Sequence, residues 1–252
     1  GSVLPSNTCY NSFFKFHKLN YITIILKVLL CNNFIKMKIS IITVTLNSEH
    51  TIRDTLNSVL SQSDSNIEHI IVDGGSTDNT LKILEKYPQK NKKVFIKKNF
   101  GIYKSINFGI KESKGSHICI LNSDDIFHSN KTIYNIKKII SKNKKTEVFL
   151  GDVAYFKKFN YYNLNRFYSS QNFKKWQMRL GLMPPHPGSI IKKTTYEKYG
   201  TYLEDFKIAG DFELFLRLFI IKNVSFKIIK NIVVRMRSGG ISGKNFYSYW
   251  VS

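Results

Sequence analysis

From Met37 onward the chain repeats one unit: a short run of β-branched and apolar residues, a polar turn, then an amphipathic stretch with apolar residues three and four apart. Residues 39–46 form the first run, and residues 51–60 follow as a helix with Ile52, Leu56, Val59 and Leu60 on one face. Residues 67–72 are a second run, ending in Asp73-Gly74-Gly75-Ser76-Thr77-Asp78. There the glycines permit a tight turn, and Ser76 or Thr77 is placed to cap a helix carrying Leu81, Ile83 and Leu84. A short third run at 94–96, a helix at 102–113 closed by Gly115, and a fourth run at 117–121 complete the series. Strands that are apolar on both faces and alternate with helices need right-handed crossovers, so this half is predicted to be an α/β unit with a mostly parallel sheet flanked by helices. A Rossmann-like nucleotide-binding fold is the expected class.

The fourth run leads into Leu121-Asn122-Ser123-Asp124-Asp125. Open parallel sheets bind ligands at the carboxyl ends of their strands, which is where these two carboxylates fall. Side by side they repel, and keeping both ionised requires a cation or several hydrogen-bond donors. Mg²⁺ or Mn²⁺ is the simplest partner, since it takes one or two carboxylate oxygens and completes its shell with water and phosphate. A plain capping turn is the competing reading, with Ser129 and Asn130 as the N-cap of the next helix.

Beyond residue 150 the repeat fades. Residues 155–168 are aromatic and basic and read as a hairpin or flap, and residues 176–182 as a short helix. Met183-Pro184-Pro185-His186-Pro187-Gly188 has to be irregular, because three prolines in four residues remove donors and restrict φ. Residues 189–191 resume a strand, Gly210-Asp211 opens an apolar helix over 212–221 that includes Arg217, residues 225–234 are a last strand, and the glycine-rich stretch from Arg235 reads as mobile.

The net charge of +22 raises nucleic acid, anionic lipid and phosphate-rich substrates as partners. The lysines are spread along the chain, and no nucleic-acid-binding motif accompanies them, so no specific nucleic-acid partner is expected. Cys9, Cys31 and Cys119 lack metal or disulfide spacing, which fits a reducing cytoplasm. Gly1 and Ser2 read as the remnant of a cleaved tag. The rest of the 1–36 extension is basic, without acids, and its apolar run at 21–30 is too short to span a bilayer. Two readings of it stay open: an amphipathic helix on a membrane or on the domain, or a segment preceding a natural start at Met37.

Taken together and in order, several motifs resemble family 2 glycosyltransferases of the GT-A fold, and most closely their bacterial surface-polysaccharide branch. They are Ile41-Ile42-Thr43-Val44-Thr45-Leu46-Asn47-Ser48, Val72-Asp73-Gly74-Gly75-Ser76-Thr77-Asp78, Gly101-Ile102-Tyr103 with Asn107 and Gly109, Asn122-Ser123-Asp124-Asp125, and Gly210-Asp211-Phe212-Glu213 with Arg217. The resemblance covers roughly residues 37–240. It implies one GT-A domain over 37–252, with a nucleotide-sugar half at 37–128 and an acceptor half at 129–252. It also implies a nucleotide-sugar donor, often a UDP-sugar, a divalent metal, and a glycan or lipid-linked acceptor in capsule, O-antigen or lipooligosaccharide synthesis. The expected location is cytoplasmic, at the inner face of the cytoplasmic membrane with peripheral contact to it.

By the same resemblance Asp125 is the metal ligand and Asp124, with Ser123, approaches the ribose or sugar. Thr45, Leu46, Asn47 and Glu49 wall the base and ribose, Asp73 accepts from the uracil N3 hydrogen, Gly75 belongs to the same donor-binding set, and Tyr103 and Asn107 line the donor pocket. Asp211 is the catalytic base, with Glu213 in reserve, while His186 and Arg217 reach diphosphate or acceptor. Structural readings stand beside these: a turn-initiating Asp73, an N-capping Asp211, a loop histidine, helix packing for Tyr103 and Asn107, and an Arg217 that snorkels or pairs with an acid. Lys104 departs from the family, where an Asp commonly follows the Ile-Tyr pair. The chain also ends at Ser252 where relatives continue with helices, which reads as a truncation or a shortened gene. A nucleotidyltransferase would carry a glycine-rich Lys/Arg loop after the first strand, and Asn47-Ser48-Glu49-His50 is not one. The remaining alternative is a non-catalytic basic module, binding membrane or nucleic acid, on a decayed transferase fold.

Overall fold

The computed structural model describes residues 37–88, 91–157 and 160–238, so the readings made for residues 1–36 and 239–252 lie outside the described residues. Among the described residues nine strands form one sheet: β1 (Ile39–Thr45), β2 (Ile67–Asp73), β3 (Lys92–Ile96), β4 (His117–Ile120), β5 (Ile126–Phe127), β6 (Val148–Lys157), β7 (Asn160–Tyr168), β8 (Ser189–Lys192) and β9 (Phe226–Arg237). The helices are α1 (Ile52–Leu60), α2 (Thr80–Lys86), α3 (Ile102–Glu112), α4 (Thr132–Lys142), α5 (Lys193–Tyr199) and α6 (Gly210–Leu216), the last continuing as a π-helical turn over Arg217–Ile221.

The strand order is β3-β2-β1-β4-β8-β6-β9-β5, with β7 pairing β6. The first half is parallel as its pattern predicts, β1 lying between β2 and β4 with β3 outside β2. Antiparallel β8 then joins β4 to β6, so the two halves of the chain share one sheet. Every residue of β1 and β2 is buried, which is why their sequences are continuous apolar runs. The polar residue Glu68 inside β2 is satisfied by Ser40 Oγ, Lys93 Nζ and the Lys114 amide, each at 2.7 Å. One carboxylate thus ties β1, β3 and the turn before β4 to β2. Helix α3 lies directly on β1: a Cβ on Gly109 would stand 2.6 Å from Ile42 Cγ2, so the contact requires a glycine.

Three local readings change. Ser76 and Thr77 do not cap α2; Asn79 is its N-cap, and Asp78 accepts from the Thr80 amide. Ser129 and Asn130 likewise precede Lys131, the N-cap of α4. Arg235 to Arg237 are strand: β9 pairs them with Ala154, Tyr155 and Phe156 of β6, because hydrogen bonding along a twelve-residue strand carries the chain past the point where its apolar pattern stops. Among the described residues no helix is long and apolar enough to cross a membrane.

His117, at the start of β4, is buried against Phe149, at 6.0 Å between ring centroids. Burial, helped by the Lys192 charge, pushes its imidazole down to about 4. The unfolded chain binds this proton near the ordinary 6.5 and the folded chain does not. The stabilisation is therefore complete above about 6.5 and is lost as pH falls toward 4, with an upper bound of about 3 kcal/mol. Urea unfolding of wild type and His117→Phe, compared at neutral and acid pH, is expected to show that acid loss in the wild type only.

Candidate active site

The carboxyl ends of β1, β2 and β4 converge, and the turn after β4 carries the two acids. The Leu121 amide donates to Ile42 O at 2.9 Å, and the Asp125 amide closes the turn on Asn122 O at 3.1 Å. Thr55 Oγ1 of α1 then holds the Asp125 carbonyl at 2.8 Å. Asp125 is 1% exposed; its carboxylate accepts from Asn122 Nδ2 at 3.2 Å and from the Arg237 amide at 3.3 Å. Burial raises the Asp124 carboxyl, and burial together with the Asp124 charge pushes Asp125 well above the carboxylate range. The opposing charge comes from Arg237 at the end of β9. Its Nη2 lies 2.9 Å from Asp54 Oδ2, its Nε 3.4 Å from Asp124 O, and its guanidinium 5.0 Å from the Phe156 ring centroid.

Beside this turn, the loops after β1 and β2 are laced together. Asn47, at φ +49°, receives the Thr77 amide on Oδ1 at 2.9 Å and donates its own amide to Ser76 Oγ at 2.9 Å. Glu49 Oε2 accepts from the Asn79 amide and side chain at 2.9 and 2.8 Å, and Ser48 Oγ meets Ser123 Oγ at 2.9 Å. Asp73 is fully buried and shapes its own turn: Oδ1 accepts from the amides of Gly75 (2.8 Å) and Ser76 (2.7 Å), and Oδ2 from Ser76 Oγ (2.6 Å). At φ +99° Gly75 takes a conformation that disfavours a side chain. Leu46 is 56% exposed above this ledge, while Thr45 Oγ1 is buried without a hydrogen-bond partner. Such an orphan suits a ligand hydroxyl or a water.

On the other side, α3 positions the loop that delivers Asp211. Asn107 Oδ1 accepts the Tyr202 amide at 3.0 Å, and its Nδ2 donates to Tyr202 O at 2.8 Å and to Glu204 Oε1 at 3.0 Å. Tyr103 stacks on Tyr202, centroids 5.6 Å apart, and its hydroxyl accepts the Gly210 amide at 2.8 Å. Asp211, half-buried one residue into α6, accepts the Phe212 amide on Oδ1 at 2.9 Å. It follows Ala209, the N-cap, so Asp211 does not occupy the capping position. His186 Nε2 is bonded to the Tyr202 hydroxyl. Burial lowers the imidazole while the nearby Asp211 charge opposes that shift.

Two tyrosines of the β6–β7 hairpin lie within electrostatic reach of these acids. Burial raises both hydroxyls; Tyr155 on β6 feels Asp125, and Tyr168 on β7 feels Tyr155 and Asp211. Arg166 stacks on the Tyr155 ring at 5.2 Å. Glu213 and Arg217 form a two-point ion pair, 2.8 Å at both contacts, and Arg217 also donates to the carbonyls of Tyr199 and Thr201 at 2.6 Å. These contacts engage the guanidinium in fastening α6 to the 199–201 loop. Lys104 rests on the Phe100 ring at 4.6 Å and lines a cleft with Lys111, Lys193 and Glu204, away from the acid pair.

The family profile described as glycosyl transferase family 2 matches residues 40–202. The chain belongs to that family. An uncharacterized glycosyltransferase of Rickettsia typhi is 30% identical over 197 residues, covering 75% of this chain and 60% of that protein. TuaG of Bacillus subtilis, named for teichuronic acid biosynthesis, is 35% identical over 99 residues, covering 38% of this chain and 39% of its own. The chain thus spans 60% or less of the length of these relatives. Among solved structures, Staphylococcus aureus TarS 1–349 in complex with UDP-GlcNAc superposes with a TM-score of 0.65 at 23% identity, covering 80% of this chain and 59% of that one. The fold is GT-A.

Arg237, Tyr155, Tyr168 and Thr55 are residues around this candidate site that the motifs do not signal. Tyr155 and Tyr168 lie in the aromatic, basic segment, which gave a hint; the others become neighbours of the acids only through strand pairing and turn closure. Among the described residues no three His, Cys, Asp or Glu side chains close into a metal cage. Two adjacent carboxylates, Asp125 buried and Asp124 half-buried, whose ionisation the site disfavours nonetheless suit a hard divalent ion that takes water and phosphate oxygens for its other positions.

Proposed function

We propose that this chain is an inverting glycosyltransferase that moves one sugar from a nucleotide-sugar, most simply a UDP-sugar, to a glycan or lipid-linked acceptor in bacterial surface-polysaccharide synthesis. Residues 37–252 act as a single domain, 37–128 holding the donor and 129–252 the acceptor, at the inner face of the cytoplasmic membrane. The observation that carries the reading is that Asp125 at the β4 tip and Asp211 on α6 both act electrostatically on neighbouring tyrosines of one hairpin, Tyr155 and Tyr168, which places both acids within reach of one site.

In this reading Asp125 holds Mn²⁺ or Mg²⁺. The bound ion supplies neutralisation of the charge that develops on the departing diphosphate. Asp124 and Ser123 face the ribose or sugar, and Leu46 and the laced 45–49 and 73–79 loops wall the base, with Thr45 Oγ1 offered to a ligand. The turn-building bonds of Asp73 make it a shaper of that wall; direct contact with a base edge requires one of its loop donors to yield. Tyr103 and Asn107 support the pocket by fixing the 202–210 loop. Asp211 accepts the proton of the acceptor hydroxyl as its oxygen bonds to the anomeric carbon. The bond from that carbon to the diphosphate oxygen breaks on the opposite face and leaves its electron pair on the nucleoside diphosphate. His186, held by Tyr202, faces diphosphate or acceptor. Glu213 and Arg217 keep α6, and so Asp211, in place.

A thermal-shift screen of UDP-, GDP- and dTDP-sugars with and without Mn²⁺ tests this. A matched donor at about a hundred times its dissociation constant is expected to raise the melting temperature by roughly 5–10 °C, and only with the ion. No shift with any nucleotide-sugar would defeat the proposal.

A further inference from the structure

The segment 174–182 exposes large apolar side chains that the fold does not use. Its 3₁₀ helix, Lys175–Leu180, turns Met178 inward into the main core, while Trp176 is 53% exposed and Leu180 66%. Gly181, at φ +77°, then reverses the chain. Its amide bonds Met178 O at 3.2 Å and the Leu182 amide bonds Gln177 O at 3.1 Å, a Schellman closure. In that closure the residue after the glycine commonly packs back on the helix. Leu182 instead stands out, 55% exposed. Three large apolar groups therefore project from one tightly closed turn, with Lys174 and Arg179 exposed among them.

The basic stretch of sequence that carries this turn bears on what it can meet. Between Asp152 and Glu197 lie 44 residues with eight lysines and arginines and no acid. A protein surface of ordinary composition has no need of so one-sided a partner, whereas a bilayer containing anionic lipid offers both an apolar layer for Trp and Leu and a negative surface for the cations. Trp suits the interfacial depth in particular, with an apolar ring and one donor.

We propose that residues 174–182 are a docking surface for an anionic lipid bilayer, inserting Trp176, Leu180 and Leu182 while Lys174 and Arg179 meet the headgroups. The inference deepens the membrane contact proposed above and rests on that reading only for why docking is useful. The segment runs through residues 183–185 into His186, the Tyr168 hydroxyl bonds Met183 O, and Met178 packs with Phe215 and Phe219 of the helix that bears Asp211. Docking here sets the acceptor side of the cleft at the membrane plane, where a lipid-linked acceptor presents its hydroxyl.

The test is flotation of the full chain with vesicles of phosphatidylcholine alone or mixed with phosphatidylglycerol. Wild type is expected to float with the mixed vesicles and to be released by salt. The triple variant Trp176→Ser, Leu180→Ser, Leu182→Ser and the double variant Lys174→Glu, Arg179→Glu are each expected to lower partitioning by on the order of tenfold or more. Their melting temperatures and nucleotide-sugar shifts should equal those of wild type, because every altered side chain is exposed. Wild-type binding by both variants, or no flotation of wild type, overturns the proposal. So does a triple variant that loses self-association on size exclusion without losing flotation, which assigns the surface to a second copy. If flotation behaves as expected while no nucleotide-sugar binds, the docking surface stands and the transferase reading falls.

Discussion

Asp125→Asn is expected to abolish metal-dependent UDP binding and to lower sugar transfer by at least about 10²–10³-fold, while leaving the ion-free protein as stable as wild type or more so. The two halves of this expectation have one cause. In the absence of an ion, burial and the neighbouring Asp124 charge both disfavour the ionised form of Asp125, and the Arg237 charge opposes them only in part. Removing that carboxylate relieves a repulsion, and the amide still offers an oxygen to the Arg237 amide. In the proposed reading the same carboxylate is, with donor present, the anion that a divalent ion needs, and an amide is a much poorer ligand for a hard cation. Loss of the electrostatic stabilisation of a leaving diphosphate is among the larger single losses an enzyme can suffer. Titration calorimetry of UDP with and without Mn²⁺, transfer assays and thermal melts of the ion-free protein measure the three quantities separately. A variant that binds UDP with undiminished Mn²⁺ dependence would remove Asp125 from the metal site.

Most of the first half of the fold was legible from sequence, for a reason that differs from strand to strand. β1 and β2 are buried on both faces, so burial itself wrote continuous apolar runs into the chain, and their polar tips stood out against that background. β5 was not legible: two residues long, it exists because β9 passes beside it. The same long-range pairing hid Arg237. Its position against Asp54 and Asp124 follows from the β6–β9 register, which shifts around Asp152, and nothing local at Arg-Met-Arg signals an acidic neighbour more than a hundred positions away. Motifs located Asp124, Asp125 and Asp211 but not what surrounds them. Asp73 and Glu49 lie in the loops proposed to face the donor, and their oxygens brace those loops. Tyr103, Asn107 and Arg217 each hold the 199–210 segment by its backbone, and the partners of such bonds are set only when the loop folds back on α3 and α6. The sequence therefore named the groups suited to chemistry and left their supports to tertiary structure.

That distinction shapes the expected outcome for Asp211. Asp211→Asn keeps the side-chain shape and an oxygen for the Phe212 amide, so the start of α6 and the Tyr103–Gly210 bond are expected to persist. What is lost is the capacity to accept a proton from an acceptor hydroxyl, a contribution of typically 10²–10⁴-fold in rate. Transfer is accordingly expected to fall by about that factor while UDP-sugar affinity and its Mn²⁺ dependence stay within about twofold of wild type. The nearest rival, Glu213, is less suited to the task because both of its oxygens bind the guanidinium of Arg217 at 2.8 Å, and protonating it would weaken the clamp that orients α6. His186 is a weaker rival still, since its Nε2 is engaged with the Tyr202 hydroxyl. Radiolabelled-donor transfer, measured beside UDP titration on the same preparation, separates a lost base from lost binding. Near wild-type transfer by Asp211→Asn would show that proton removal is carried out by another group, and the acceptor half of the mechanism would have to be rebuilt around it.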